Sequence, residues 1–300
     1  MIISDNTQKL GPIHIAGLVV RPGAKCLHEY YVRLRNVLEK HGVRLLVAQK
    51  SAEQLGLKEG IPQEELFRQS DILIAIGGDG TLISLSRRSY HYHKPILGIN
   101  AGKLGFLTDI TLNEIESFID KIFTGEYRID RRMVFDVTLH SPVEDKKVIA
   151  FNDVVLSRPS IEGMVNVDAF VTSHISHMNR KHLNNYYGDG VIVSTPTGST
   201  AYNLSAGGPI LFPLTQAMIV TPICPHSLTE RPIVLPAEFE IEFTSEDETI
   251  IVIDGQDIYN LKFFDAISIR VADEGVRMVH RIERNYFDVL KQKLNWGSKQ

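Results

Sequence analysis

The sequence contains few cysteines, and they are not spaced for metal binding. Cys26 and Cys224 are the only two among 300 residues, and they lie far apart along the chain. Two such residues provide neither a disulfide framework nor a zinc motif. Both are therefore predicted to be reduced thiols with a structural role.

Long apolar runs and a strong net charge are also missing. No stretch approaches the roughly 18 apolar residues of a membrane span, and the polar segment 1–10 lacks the basic and apolar regions of a secretion signal. A net charge of −4 predicts no general attraction to nucleic acid or to an anionic membrane. We expect a cytoplasmic protein whose partners are neither nucleic acid nor membranes.

The first part of the chain has the pattern of an α/β domain. With 43% hydrophobic and 23% charged residues, the chain can form one large or two ordinary globular domains. Residues 1–125 alternate short apolar runs with helical patterns, which is typical of a parallel sheet covered on both faces. Strands are predicted at 13–20, 43–47, 72–76 and 95–99, with helices over about 27–42 and at 63–69.

The period of the apolar residues changes after Arg132. Residues 135–139, 165–171 and 239–243 alternate apolar and polar side chains for most of their length. This alternation is typical of half-buried antiparallel strands. The predicted fold class is therefore an α/β domain with a parallel sheet, followed by an all-β sandwich over residues 126–275.

The tail, residues 276–300, is predicted to return to the first domain. It carries a strand pattern at 276–280 and then a helix pattern that begins near Asn285. Phe287, Leu290 and Leu294 are spaced to form the apolar face of this helix.

A glycine-rich turn follows the strand pattern at 72–76. It spans residues 77–81, reads Gly-Gly-Asp-Gly-Thr and leads into a helical pattern. Glycines let backbone N–H groups converge on an anion, and a helix start adds partial positive charge. The acid would repel a phosphate unless it binds a metal or accepts a proton. The turn predicts a phosphate-binding loop, with a tight strand-to-helix turn as the structural alternative.

A second polar segment follows the strand pattern at 191–193. Residues 194–202 read Ser-Thr-Pro-Thr-Gly-Ser-Thr-Ala-Tyr, and their hydroxyls suit ribose and diphosphate oxygens. An ordinary Ser/Thr turn with local side-chain bonds is the structural alternative. Asn152 and Asp153, at the start of another apolar strand, are a weaker signal because this pair often marks a turn.

Other motifs are incomplete. No Gly-x-x-x-x-Gly-Lys-Ser/Thr loop occurs, and Ile83 stands where a dinucleotide fingerprint needs its third glycine, which disfavours a Rossmann dehydrogenase. His174, His177 and His182 lie in a β region without cysteines and are predicted to be surface or edge residues rather than metal ligands.

Taken together, these motifs resemble those of NAD kinases. Gly-Gly-Asp-Gly-Thr alone is shared with phosphofructokinases and with diacylglycerol and sphingosine kinases, so it indicates a phosphofructokinase-like domain rather than one substrate. The run Gly-Asp-Gly-Val-Ile-Val-Ser-Thr-Pro-Thr-Gly-Ser-Thr-Ala-Tyr is more specific. The resemblance covers most of the chain and is carried by residues 77–81, 100–109, 152–153, 188–208, 224–228 and 254–256.

The resemblance implies transfer of the γ-phosphoryl group of ATP to the 2′-hydroxyl of the adenosine ribose of NAD, which gives NADP. Asp79 is implied to be the base that accepts or orients the hydroxyl proton, and a divalent metal, Mg²⁺, would travel with ATP. The implied phosphate-binding residues are Gly78, Gly80 and Thr81. The implied NAD-binding residues are Asp79, Gly80, Phe106, Asn152, Asp153, Asp189, Thr200, Ala201, Tyr202 and Ser205.

The same resemblance implies domain roles and an assembly. Residues 1–125 with 276–300 would bind the phosphates of ATP, and residues 126–275 would bind NAD. Members of the family are usually homodimers or homotetramers.

Some features depart from the family or leave alternatives. Lys103 stands where other members have asparagine or histidine, and it is predicted either to contact a phosphate or to remain solvated. Tyr186 and Tyr187 replace a basic residue found in many bacterial members, which leaves the choice between NAD and NADH open. A lipid kinase of the diacylglycerol or sphingosine type and a non-catalytic NAD(P) sensor are the competing functions.

Overall fold

The computed structural model describes residues 9–23, 25–102, 105–173, 175–295 and 297. The chain divides into two compact units. Of the described residues, 9–131 and 276–297 form the first unit, and 132–275 form the second. Among the helices in these ranges, none is long and apolar enough to cross a membrane.

The secondary-structure elements are numbered along the chain. The helices are α1 (His28–Lys40), α2 (Gln49–Leu55), α3 (Gln63–Gln69), α4 (Asp79–Ser89), α5 (Ile115–Thr124), α6 (Tyr202–Ser205) and α7 (Tyr286–Leu294). The strands are β1 (Ile15–Val20), β2 (Arg44–Val47), β3 (Ile72–Gly77), β4 (Ile96–Asn100), β5 (Ile110–Thr111), β6 (Arg128–Arg132), β7 (Phe135–His140), β8 (Lys146–Ala150), β9 (Asp153–Ser157), β10 (Val165–Ser173), β11 (Met178–Gly188), β12 (Gly190–Ser194), β13 (Ala217–Ile223), β14 (Ile233–Pro236), β15 (Phe239–Thr244), β16 (Ile250–Ile253), β17 (Asp257–Asn260), β18 (Ala266–Val271) and β19 (Val276–His280).

The first unit is built on a largely parallel sheet. Its strand order is β2-β1-β3-β4-β19-β6, with β5 paired to β4, and the pairings β1–β2, β1–β3, β3–β4, β4–β5 and β4–β19 are parallel. Ile72, Ile74 and Ile76 pack with residues of α1, α2 and α5, while the intervening Leu73 and Ala75 are equally buried. Burial on both faces explains the continuous apolar runs in the sequence.

The second unit consists of two antiparallel sheets. Their orders are β11-β10-β15-β18-β7-β8 and β14-β13-β12-β9-β16-β17. Phe135 and Val137 of the first sheet belong to the same buried cluster as Val154 and Val191 of the second. The alternation along β7 follows from this packing, since every second residue enters the shared core. The predicted fold class, α/β followed by an all-β sandwich, is confirmed.

Two details differ from the sequence-based expectation. In α7, Val289 and Leu290 are the buried residues, so the predicted apolar face is confirmed at Leu290 and wrong at Phe287 and Leu294, which are exposed. Val289 and Leu290 are adjacent, and their burial shows that the helix contacts the protein along a stripe shifted from the predicted one. Cys26 and Cys224 are free, as predicted, but both are exposed, so neither fills the core.

Candidate functional site

The glycine turn lies at the carboxyl ends of two neighbouring parallel strands. Gly77 ends β3 and is the register partner of Asn100, the last residue of β4. Helix α4 follows the strand as predicted, but it begins at Asp79, within the Gly-Gly-Asp-Gly-Thr segment, with Gly78 in an extended conformation before it. Ligands of open α/β sheets bind outside the carboxyl ends of such strands, so this edge is a candidate phosphate site.

Two glycines of the turn leave open space around the start of α4. A Cβ atom built at Gly78 or Gly80 would meet no other atom within 4 Å. Neither residue has a positive φ. Packing and backbone conformation therefore do not require glycine at these positions. Missing side chains would instead allow an anion to approach the backbone N–H groups there.

Asp79 is held by a different segment of the first unit. Its Oδ2 accepts the backbone N–H of Phe106 at 2.7 Å, and its Oδ1 accepts that of Leu107 at 3.2 Å. The carboxylate is partly buried. A Cβ atom at Gly105 would overlap this carboxylate, so the close approach requires glycine at position 105. Each oxygen keeps acceptor capacity for one further hydrogen bond.

A buried charge network lies behind the segment that holds Asp79. Arg284 donates from Nη1 to the carbonyl of Leu107 at 3.1 Å and from Nη2 to the carbonyl of Phe106. His280 Nδ1 lies 3.0 Å from Asp109 Oδ1, and its Nε2 lies 2.9 Å from Arg284 Nη1. All three side chains are at most 9% exposed.

The network has a definite charge pattern. Burial, together with the neighbouring Arg284, lowers the pKa of His280 to about 4, so its imidazole is neutral at pH 7. Burial opposes ionisation of Asp109, but His280, Arg284 and the N–H of Arg281 outweigh it and lower its pKa to about 2. Burial lowers the pKa of Arg284, and the carboxylates of Asp109, Asp130 and Asp79 act against that shift. Arg284 thus lies within electrostatic reach of Asp79.

In the second unit, one carboxylate organises the peptide around Asn152. Asp254 Oδ1 accepts the N–H of Asn152 at 2.6 Å and that of Asp153 at 3.0 Å, and Oδ2 accepts the N–H of Phe151 at 2.8 Å. Asp254 and Gly255 both have positive φ in the turn between β16 and β17. Asp-Gly is typical of such hairpin turns. The turn thereby places the Asp254 carboxylate against backbone N–H groups that lie about 100 residues earlier in the chain.

A pocket of about 330 Å³ opens beside this peptide. It brings together four residues that the sequence analysis assigned to NAD binding. Around it lie Asn152, Asp153, Val155, Ser157, Ala201, Tyr202, Val252, Asp254 and Gly255.

The polar groups of the pocket are suited to a hydroxylated ligand. Burial raises the pKa of Asp153 to about 7, and the neighbouring Asp254 adds to the shift. The Oδ1 atom of Asn152 is buried and finds no hydrogen-bond partner among the described residues. An orphaned buried acceptor beside a carboxyl that titrates near neutral pH is typical of a ligand site.

Most hydroxyls of segment 194–200 support the loop rather than the pocket. Thr195 Oγ1 donates to the carbonyl of Phe151 at 2.8 Å, and Ser199 Oγ donates to that of Pro196 at 2.7 Å. Both residues are fully buried. The alternative of local side-chain bonds therefore holds for Ser199. The Thr195 hydroxyl instead fixes the loop against the peptide that precedes Asn152.

Gly198 contributes to the same close contact. A Cβ atom at this position would overlap the backbone of Asn152. Segment 194–200 and the Asn152 peptide are thus packed backbone to backbone.

The remaining predicted NAD-binding residues of the second unit do not line this pocket. Asp189 pairs with Arg158 at 3.0 Å, and Thr200 Oγ1 makes a long bond of 3.4 Å to the carbonyl of Thr197. Ser205 is exposed at the end of α6. Tyr186 is buried, whereas Tyr187 is exposed against the ring of His226, so only Tyr187 can meet a ligand.

Phe106 belongs to the loop of the first unit that holds Asp79. Phe106 is partly exposed, and Lys293 Nζ lies 5.8 Å from the centre of its ring. Lys103 lies outside the described residues, as does His174. The side chain of Thr81 lies against Gly77, so a Cβ atom built at Gly77 would overlap it.

The described residues contain no group of three or more His, Cys, Asp or Glu side chains that could hold a metal ion. His177 and His182 are exposed, and His182 lies 3.4 Å from Asp168. An ion bound mainly by substrate phosphates needs no such group of protein ligands.

Sequence reasoning missed the roles of Asp254 and Arg284. The Asp-Gly pair at 254–255 signals a hairpin turn, but spacing cannot show which backbone its carboxylate meets. Arg284 follows β19 without any motif around it.

Comparison with known proteins matches both units. Models of the ATP-NAD kinase N-terminal and C-terminal domains match residues 16–127 and 151–281. The NAD kinase of Sulfurimonas denitrificans is 46% identical over 282 residues, which cover 94% of this chain and 96% of that protein. The NAD kinase of Wolinella succinogenes is 44% identical over 292 residues, which cover 97% and 98%.

Solved structures agree with these matches. A yeast NADH kinase complexed with NADH has a TM-score of 0.85 and 25% identity, over 97% of this chain and 90% of that one. An Archaeoglobus fulgidus NAD kinase in complex with ATP has a TM-score of 0.74 and 25% identity, over 94% and 98%. Both domain models and the identity of 44–46% to curated NAD kinases over nearly the whole length show that this chain belongs to the ATP-NAD kinase family.

Proposed function

We propose that this chain is a NAD kinase that transfers the γ-phosphoryl group of ATP to the 2′-hydroxyl of the adenosine ribose of NAD. The family and the relatives named NAD kinase support this activity. The observation that carries it is the pocket around Asn152 and Asp153, whose unpartnered acceptor suits a ribose hydroxyl.

In the proposed reaction the 2′-oxygen forms a bond to the γ-phosphorus while the bond from that phosphorus to the bridging oxygen of ADP breaks. Asp79 accepts the hydroxyl proton through the acceptor capacity that the N–H groups of Phe106 and Leu107 leave open. Phosphoryl transfer depends mainly on positioning and charge neutralisation, so the fixed carboxylate matters through its orientation.

The two units are proposed to divide the substrates. The first unit would bind the phosphates of ATP at Gly78, Gly80 and Thr81, with Lys103 as a further candidate. The second would bind NAD through Asn152, Asp153, Ala201 and Tyr202, with Asp189, Thr200 and Ser205 around the same ligand. Phe106 would supply an apolar wall.

A divalent ion, proposed to be Mg²⁺, fits a site of this kind if it arrives with ATP. Asp79 is the acid at the start of α4, and Mg²⁺ in such enzymes is held largely by phosphates and water. When bound, the ion would neutralise phosphate charge. Cytoplasmic location and a homodimeric or homotetrameric state are proposed on the same family basis, and the mass of the protein in solution tests the second.

The test is to mix purified protein with NAD or NADH, magnesium and a donor, and to follow NADP(H) with a specific dehydrogenase. ATP, other triphosphates and polyphosphate serve as alternative donors. Formation of NADP that requires the protein and a donor is expected. Binding of NAD without any NADP would instead support the sensor, and phosphorylation of a diacylglycerol or sphingosine would support the lipid kinase.

A further inference from the structure

Phe106 and Leu107, the residues that hold Asp79, form hydrogen bonds through both their N–H and their carbonyl groups. The N–H groups of Phe106 and Leu107 donate to the Asp79 carboxylate, and the carbonyl groups of the same two residues accept from the Arg284 guanidinium. The guanidinium is planar and carries donors in a fixed fork, so it can hold two carbonyls at once. The position of Asp79 is thus coupled to Arg284 through two consecutive residues.

Arg284 is itself fixed by buried neighbours. Its side chain is 3% exposed, lies 4.0 Å from Asp109 Oδ1 and contacts the ring of His280. Asp109 also accepts the N–H of Arg281, which joins the strand end of β19 to the same loop. A buried arginine whose donors meet two carbonyls and a ring nitrogen, with a carboxylate 4.0 Å away, has little freedom to move.

We propose that Arg284 is a positioning residue for phosphoryl transfer, which orients the Asp79 carboxylate through the backbone of Phe106 and Leu107. This inference rests on the proposed role of Asp79 as the base. Gly105 also contributes to the position of Asp79, because any larger residue there would displace the carboxylate.

Replacement of Arg284 by lysine tests the coupling. Lysine keeps the charge but cannot span two carbonyls, so Asp79 should lose its fixed orientation. We expect kcat to fall by about 10- to 100-fold, with the KM values for NAD and ATP within about twofold, since a small misplacement of a reacting group has effects of this size. Arg281→Gln is the matched control, because that guanidinium pairs with Glu114 instead and its loss should leave kcat within about twofold.

A thermodynamic cycle with Asp79→Ala separates positioning from a purely structural role. If Arg284 acts through Asp79, Arg284→Lys should not reduce the residual rate of the Asp79→Ala protein further. An equal loss in both backgrounds would overturn the inference while leaving the proposed function intact. Near-normal kcat of Asp79→Ala alone would overturn the proposed base, and the inference with it.

Gly105→Ala keeps the test decisive if the Arg284 variants fold poorly, because it removes no buried charge. Its kcat should fall in the native background and not in the Asp79→Ala background, where the overlapping carboxylate is absent. Addition of guanidinium to Arg284→Ala should restore part of its kcat. Failure of Gly105→Ala to lower kcat, with circular dichroism showing a folded protein, would contradict the proposal.

Discussion

Asp79 in the first unit and Asp254 in the second both accept hydrogen bonds from backbone N–H groups, but their proposed roles differ. Asp79 accepts two backbone N–H groups and Asp254 accepts three. In the first unit the acid is the proposed reacting group, and the loop positions it. In the second unit the acid fixes the loop, and the proposed ligand-binding groups are those of Asn152 and Asp153. The comparison predicts that one acid controls the chemical step and the other controls NAD binding.

Asp79→Asn should have the largest effect. The amide cannot accept a proton, so kcat should fall by about 10²- to 10⁴-fold while NAD still binds. Steady-state rates and titration calorimetry measure the two quantities.

The matched control for this change is Asp71→Asn. Asp71 also accepts two backbone N–H groups, from His14 and Ile15, at the start of β3. Its replacement should cost stability without a comparable loss of kcat. Equal losses of kcat in both variants would remove the distinction between a reacting and a structural acid.

Asp153→Asn should change the pH dependence of stability. The pKa of Asp153 is about 7 in the folded protein against 3.8 as the ordinary value. Between these values the folded state binds more protons than the unfolded state, so stability falls as pH rises and levels off above about pH 7. Asparagine does not titrate, so the variant should lack this loss. The free energy of unfolding of the variant minus that of the wild type should increase by about 2–4 kcal/mol from pH 4 to pH 8.

Denaturant unfolding at several pH values tests this expectation. A constant difference between the two proteins across the range would show that Asp153 is ionised in the folded state throughout, and the pocket would then have a different charge from the one described.

Asp254→Asn should weaken NAD binding. Its amide group would face the N–H of Phe151, which loses its acceptor at a cost of about 1–3 kcal/mol. We expect the dissociation constant for NAD to rise about tenfold or more, with kcat at saturating NAD changed by only a few fold. Asp265→Asn, which removes an exposed acid of the same unit, is the control. A loss confined to kcat would contradict the assigned division.

Arg158→Gln should have the smallest effect. Its ion pair with Asp189 is partly exposed, and such pairs contribute about 0–1 kcal/mol. Thermal unfolding and NAD affinity should change little. An affinity loss above about tenfold would show that the pairing of Asp189, in addition to the residue itself, belongs to the NAD site.

Local patterns predicted the fold well. Helix α3 and strand β19 were placed at their observed residues, and the alternation in β7 and β10 predicted antiparallel strands because periodicity directly reflects burial. The face of α7 was predicted correctly only at Leu290, because a short helix has few residues to define its apolar stripe.

The candidate site was predictable only in part. The turn at 77–81 and the pair at 152–153 were recognisable, since each carries its chemistry in consecutive residues. Residues 254–256 also carried the resemblance, but the contacts of Asp254 and of Arg284 were not predictable, because their partners lie about 100 and about 180 residues earlier in the chain. Buried hydroxyls in segment 194–200 looked like ligand donors because composition does not show whether a hydroxyl bonds inward or outward.

Single-turnover phosphoryl transfer, with protein in excess over NAD and saturating ATP, tests the division between the two acids most directly. The Asp79→Asn protein should remain slow at every protein concentration, whereas the Asp254→Asn protein should approach the wild-type rate as its concentration is raised. A slow, concentration-independent rate for Asp254→Asn combined with a normal rate for Asp79→Asn would contradict the account.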